Sequence, residues 1–307
     1  MKRVTGFALG IVFSASVAAM TEPGPLVDVA WIKENSCAQG VRVLDVRSSI
    51  SGDREADYQS AHIPCAVYTD YMKGGWRTKV KDVVGQLPPV ENLEKLIGSL
   101  GIDNDTHVVI YHAGTSALDL GSATRVYWTF KVLGHDKVSI LNGGIAAYVA
   151  AEAPTSRVAQ KPEPKQFKGA LRQEMLVGKE DVAKALNGAT ALVDYRPSDN
   201  YQGINRHPAA KRNGTLPGAR NVPEAWLTEN NGGKLRNRET LIKLFQLAEV
   251  PTDGEQIAFC NTGHWASLGW FVSSEIMGNR QAKMYDGSMV EWSADAALPM
   301  ETKVILQ

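Results

Sequence analysis

The sequence predicts an α/β protein made of two copies of one domain, each a mostly parallel sheet flanked by helices and arising from duplication. Three observations predict it. Four short motifs recur in the same order at an offset of about 150 residues. Short apolar strands alternate with helical segments in both halves. A stretch with Pro154, Pro162 and Pro164 and no apolar periodicity separates them.

The repeats pair Val43-Leu44-Asp45-Val46-Arg47 with Leu192-Val193-Asp194-Tyr195-Arg196, and His62-Ile63-Pro64-Cys65-Ala66 with Thr215-Leu216-Pro217-Gly218-Ala219. They also pair Val108 to His112 with Gln256 to Cys260, and Leu141-Asn142-Gly143-Gly144 with Tyr285-Asp286-Gly287-Ser288. In the first half, helices are expected near Val29 to Glu34, Val90 to Ser99 and Leu118 to Leu133. Strands are expected at Val41 to Val46, His107 to Tyr111 and Lys137 to Leu141. The second half reads as strands at Ala191 to Asp194, Gln256 to Phe259 and Ala282 to Tyr285, with helices near Glu239 to Leu247 and Trp265 to Ile276. The expected domains are residues 26–152 and 176–303, joined by a linker over 153–175.

A chain of 307 residues suits two ordinary domains better than one small core. Lys+Arg and Asp+Glu are equal at 33, so no basic excess points to nucleic acid or an anionic membrane. The start of the chain differs from the rest. Lys2 and Arg3 precede an apolar run from Val4 to Val17, and small residues follow up to Ala19. This is the layout of a signal peptide, residues 1–19, cleaved after Ala19. The run is shorter than the ~20 residues that span a bilayer. The expected location is periplasmic or secreted, with no membrane attachment after cleavage. The mature chain then carries 31 basic and 33 acidic residues.

Three cysteines remain, Cys37, Cys65 and Cys260. In an oxidising compartment either one pair forms and one thiol stays free, or all three are free. Cys260 ends an apolar strand, and a helix begins within a few residues. A side chain there sits at the carboxyl end of a parallel strand, where open α/β sheets bind ligands. The loop Asn261-Thr262-Gly263-His264-Trp265 can turn several N–H groups toward one spot, and a helix N-terminus adds partial positive charge. Both favour a thiolate and suit a bound anion or a terminal persulfide sulfur.

Taken together, these segments resemble the tandem-domain rhodanese family of thiosulfate and 3-mercaptopyruvate sulfurtransferases, from about Leu26 to Thr302. The resemblance rests on Asp45-Val46-Arg47, His62-Ile63-Pro64, Gly134 to Gly144, Gly214 to Ala219, the Cys260 loop, and Tyr285 to Ser288 with Glu291-Trp292. It implies a rhodanese-like fold in each half. It also implies a cysteine, Cys260, that takes a sulfane sulfur from thiosulfate or 3-mercaptopyruvate, holds it as a persulfide, and passes it to cyanide or a thiol. Neither a metal nor an organic cofactor is implied. His112 stands where Cys260 stands in the second half, so the first half resembles the non-catalytic partner of tandem members. The chain after it, up to Gly134, is four residues longer than its counterpart.

The resemblance also sets expectations for substrate binding. Thiosulfate-type members carry basic residues after the cysteine, whereas Asn261 and Thr262 are neutral. The family's substrate-binding arginine aligns with Asn200. Arg212 is the candidate for a second such arginine, with Arg206 as its alternative. His264 and Trp265 would narrow the pocket, and His264 is a candidate acid. His62 and Asp53 match first-domain positions that flank the site, as candidate accessory groups or as supports of the cleft. Arg125 and Trp128 match an interface helix. Export favours thiosulfate as donor. A persulfide carrier fed by a partner protein is the main alternative. A cysteine phosphatase needs an arginine six residues after the cysteine, where Ala266 stands. A non-enzymatic binding module would lack the cysteine.

Overall fold

The computed structural model describes residues 23–304. The expected signal peptide, residues 1–19, lies outside them.

The first half contains β1 (Leu26–Val27), α1 (Val29–Asn35), β2 (Val41–Asp45), α2 (Glu55–Ser60) and β3 (Val67–Tyr68). A hairpin of β4 (Thr78–Val80) and β5 (Val83–Gln86) follows, then α3 (Val90–Ser99), β6 (His107–Tyr111), α4 (Ala117–Val132), β7 (Val138–Leu141) and α5 (Gly144–Ala150). The second half contains β8 (Leu176–Val177), α6 (Lys179–Ala185), β9 (Ala191–Asp194), α7 (Ser198–Gln202), β10 (Arg220–Asn221) and α8 (Arg238–Leu247). It ends with β11 (Gln256–Phe259), α9 (His264–Phe271), β12 (Ala282–Tyr285) and α10 (Ser288–Ala294).

Five strands form each main sheet, in the orders β1-β7-β6-β2-β3 and β8-β12-β11-β9-β10. Every neighbouring pair in both is parallel. The two orders are the same order, which is the duplication expressed as topology. The central strands β6 and β11 are buried along their whole length. This agrees with their unbroken apolar runs, since helices cover both faces of a parallel sheet.

The Asp-x-Arg repeats tie each sheet to the turn that follows. Arg47 donates to the Asp45 carboxylate and to Ala61 O, and Arg196 donates to Asp194 and to Gly214 O. These buried pairs are structural, because their donors face carboxylates and main chain rather than a cleft.

The two halves share one core. A single cluster runs from Leu44 and Val126 in the first half to Leu268 and Phe271 in the second. Its spine is α4 packed against α9. Tyr127 stacks edge-on against Phe271 at 4.9 Å, and the Thr124 and Ser267 hydroxyls meet at 3.0 Å. α4 is buried on almost every side, as a helix at the centre of an interface must be. The extra length after His112 lies mostly in this helix. α4 has 16 residues, against 8 in α9 followed by a 5-residue π turn, Val272–Ile276.

Cys37 and Cys65 form a disulfide with Cα atoms 5.3 Å apart, and Cys260 is the free thiol. Cys65 holds φ of 63°, in the left-handed region, where its counterpart Gly218 has 76°. The position is a turn that favours glycine, and here it carries the bridge to the end of α1.

Candidate active site

β11 delivers Cys260 into a three-residue loop, Asn261 to Gly263, before α9 begins at His264. Cys260 is fully enclosed. Ser288 shapes the loop. Its Oγ accepts from the N–H of Cys260 at 3.1 Å and of Gly263 at 3.2 Å, and donates to Tyr285 O at 2.8 Å. The N–H groups of Met289 and Val290 donate to Cys260 O and Asn261 O, both at 3.0 Å. Gly263 has φ of 74°, and a Cβ there would lie 2.5 Å from Arg125 Nη1 and 2.6 Å from Asp286 Oδ1. Only glycine fits. The N–H groups of Asn261, Thr262, His264 and Trp265 donate to no acceptor among the described residues. Four N–H groups in six residues, two of them at a helix start, are therefore uncommitted and available to a negative or polarisable sulfur.

The first domain completes this loop. Arg125, on α4, donates to Asp286 Oδ1 at 2.5 Å, to Gly263 O at 3.2 Å and to Gly85 O at 3.1 Å, and its guanidinium lies 4.6 Å from the Trp128 ring. Leu87 N–H donates to the other Asp286 oxygen at 2.7 Å. Arg77, just before β4, donates to Thr262 O at 2.7 Å and to Gly85 O at 3.2 Å. Beside these residues opens a cleft of about 340 Å³, lined by Arg77, Lys79, Met72 and Val84 from the first domain and by His207 and Thr262 from the second.

His264 belongs to the interface rather than to proton transfer. Its Nε2 lies 2.7 Å from Leu118 O, which can only accept, so Nε2 donates and Nδ1 accepts from the Tyr71 hydroxyl at 2.7 Å. Burial, then the charge of Arg77, pull its pKa down to about 3. A neutral imidazole with both nitrogens engaged does not act as an acid at pH 7, which corrects that expectation. Trp265 is partly buried against the shared core, and its Nε1 has no partner among the described residues.

The other expected residues lie elsewhere. Arg212 donates to Ser293 O, Leu298 O, Trp292 O and Asp295 O, at 2.6 to 3.3 Å. Its guanidinium satisfies the carbonyls at the end of α10, a normal role for a cation at a helix C-terminus. Arg206 spans its own loop, donating to Ala210 O and Asn213 Oδ1. The Arg212 guanidinium is wholly taken up by these carbonyls, which corrects that expectation, whereas Arg206 has no carboxylate partner among the described residues and does not line the cleft beside the loop. His62 is buried, with its nitrogens 2.7 Å from Tyr58 O and 3.2 Å from Val158 O. It fastens the interdomain linker at Val158, in keeping with the expectation of a support. Asp53 accepts from the Ser51 hydroxyl in its own loop. Asn200, at the place of the family's arginine, does approach the site: its Oδ1 receives Asn261 Nδ2 at 3.4 Å.

The corresponding loop of the first half is closed. His112 is buried, and its Nε2 lies 2.9 Å from Gly233 O of the second domain. Leu235 N–H donates to Asn142 Oδ1 at 2.9 Å, the mirror of Leu87 on Asp286. Burial keeps the His112 pKa below the usual imidazole range. Each domain therefore lays an equivalent segment across the other's loop.

The residues that sequence reasoning missed are Ser288, Asp286, Tyr71 and Arg77. The first two lie in a repeat motif whose recurrence marked them without disclosing a role. Among the described residues no group of His, Cys, Asp or Glu is arranged to hold a metal, and no helix is long and apolar enough to cross a membrane.

Comparisons with known proteins agree with this geometry. The sulfur carrier protein TtuD of Thermus thermophilus is 30% identical over 91% of this chain and 96% of its own. The thiosulfate sulfurtransferase of Bos taurus is 35% identical over 91% and 94%. Among solved structures, SseA of Escherichia coli, described as a 3-mercaptopyruvate sulfotransferase with the rhodanese fold, superposes with a TM-score of 0.73 at 25% identity over 87% of this chain and 99% of its own. EanB, in a form with a cysteine persulfide and ergothioneine, superposes with a TM-score of 0.76 at 21% identity over 92% of this chain and 71% of its own, a likeness of fold. The rhodanese-like domain model matches residues 28–151 and again 179–295. With two such domains, and the free thiol placed in the loop of the second, the chain belongs to the rhodanese family.

Proposed function

We propose that the chain moves a sulfane sulfur through a persulfide on Cys260. The observation that carries this reading is the coincidence of the one free thiol with four uncommitted N–H groups in a single loop. The Cys260 thiolate attacks the outer sulfur of a donor. A new S–S bond forms, the donor's own bond to that sulfur breaks, and the donor leaves with the electron pair, as sulfite from thiosulfate, as a thiolate from a protein persulfide, or, on cleavage of the C–S bond of 3-mercaptopyruvate, as the enolate of pyruvate, which takes up a proton. An acceptor thiolate or cyanide then attacks the terminal sulfur and releases the Cys260 thiolate, a ping-pong sequence.

Two readings of the donor follow. Carriage of sulfur from a partner's persulfide is favoured by the neutral Asn261 and Thr262, and by the name of the Thermus thermophilus relative, a sulfur carrier protein. Direct use of thiosulfate or 3-mercaptopyruvate is supported by the thiosulfate sulfurtransferases among the relatives and by the likeness to SseA. Treatment with donor alone is expected to add the mass of one sulfur atom to the Cys260 peptide. The rates from a persulfidated protein, thiosulfate and 3-mercaptopyruvate then rank the donors. Sulfur on no cysteine, whatever the donor, would exclude the persulfide reading.

We also propose that residues 1–19 direct export. The Cys37–Cys65 bond supports an oxidising compartment. Intact-mass measurement of the natively produced protein should give a chain beginning near Met20. A soluble cytosolic chain that keeps Met1 contradicts it.

A further inference from the structure

The second domain brings no arginine or lysine to the cleft beside the Cys260 loop, which it lines with His207 and Thr262. Arg196 is committed to Asp194 and Arg212 to the end of α10, and Arg206 does not line the cleft. The first domain differs. Arg125 is neutralised by Asp286, but Arg77 has no carboxylate partner among the described residues. It donates to two main-chain carbonyls, and its guanidinium lies against Tyr71, 5.7 Å from the ring centre. It is half-buried and lines the cleft with Thr262, two residues from Cys260. Its field is felt around it. After burial, the charge of Arg77 is what lowers the His207 pKa on the facing wall. Lys79 stands at the exposed rim, loosely paired with Asp82 at 3.4 Å. No carboxylate lines the cleft. Glu224, which packs near α9, has its carboxyl pushed up to about 7 by burial, and then by Asp194 and Asp199, so it carries only part of a charge at neutral pH.

A guanidinium held partly out of water without a counter-ion, at the wall of a cavity, is a binding site for an oxyanion. We propose that Arg77, from the non-catalytic domain, binds the anionic end of the small sulfur compound that exchanges sulfur with Cys260. The anionic end is a sulfonate or a carboxylate. The cationic function absent from the Cys260 loop has thus moved across the domain interface. The proposal rests on Cys260 as the sulfur-bearing residue, and it holds for a small donor or a small acceptor.

Calorimetric titration tests it without turnover. Thiosulfate and 3-mercaptopyruvate are titrated into a Cys260→Ala protein, which cannot take sulfur. At least one should bind. Arg77→Gln in that background should weaken it at least about tenfold, and Arg77→Lys, which keeps the charge, should stay within about threefold. Thr78→Glu adds a carboxylate to the cleft wall while leaving the hydrogen bonds to the loop in place, and should weaken binding at least about fivefold even if Arg77→Gln does not fold. Absence of binding by both anions, or unchanged affinity in Arg77→Gln or Thr78→Glu, overturns the assignment. Anion binding that follows Arg77, in a protein whose Cys260 gains no sulfur from any donor, would keep the cleft and reject the persulfide chemistry.

Discussion

Cys260→Ser is expected to lose sulfur transfer by at least about a thousandfold, the scale on which deleting a covalent nucleophile acts. The hydroxyl matches the thiol closely in size, so the enclosed site keeps its shape. At neutral pH an alkoxide is scarce, and it forms no persulfide. Steady-state transfer and the mass of the Cys260 peptide check this together, since both the turnover and the added sulfur should vanish. Cys37→Ser and Cys65→Ser provide the contrast. Their bond closes a separation of 28 residues, worth about 3–4 kcal/mol by chain entropy, so they should cost stability while keeping sulfur transfer. Full activity in Cys260→Ser, or sulfur found on Cys65, would overturn the assignment.

Arg125→Met should destabilise the protein by about 3–5 kcal/mol, the range for breaking a buried ion pair from one side. The Arg125 side chain is fully buried and that of Asp286 is 12% exposed. Removal of the guanidinium strips Asp286 of its counter-ion, leaves the Gly263 carbonyl without a donor and leaves Gly85 O with Arg77 alone. Urea unfolding measures the loss. The double variant Arg125→Met, Asp286→Asn should recover part of it, because the stranded charge is gone. The loop of Cys260 hangs on these bonds, so transfer should fall in the single variant as well. A loss under about 1 kcal/mol would mean that the pair does little for the interface.

Much of this molecule could be read from its letters. The repeats around Asp45 and Asp194 predicted two sheets, and the sheets have the same strand order. The strands at His107 to Tyr111, Ala191 to Asp194, Gln256 to Phe259 and Ala282 to Tyr285 lie where the sequence predicts them, because burial on both faces leaves a plain signal. Cys260 was legible because strand, loop and helix are contiguous in sequence. The β4–β5 hairpin was not. Its strands have three and four residues, exposed or half-buried, with no apolar face to betray them. Its partners lie across the interface, where no periodicity reaches: Arg77 meets Thr262, 185 positions away. Arg212 misled for a related reason. A sequence reveals a cation but not its acceptors, and these are main-chain carbonyls 80 to 86 positions away. His62 likewise meets the linker at Val158, 96 positions on.

The segment that crosses from the first domain to the Cys260 loop also bears on the order in which the protein matures. Contacts between Leu87 and Asp286, 199 positions apart, are among the last a chain can make, since distant segments meet only after local ones have closed. Until the halves dock, Arg77 and Leu87 of the first lack their partners in the second. The thiol loop is finished only when the second half has been made and docked. An isolated second domain would carry Cys260 with Thr262 O, Gly263 O and Asp286 all lacking their partners. The first half thus supplies the bonds that close the loop of the second, and the Cys260 loop is complete only in the docked pair.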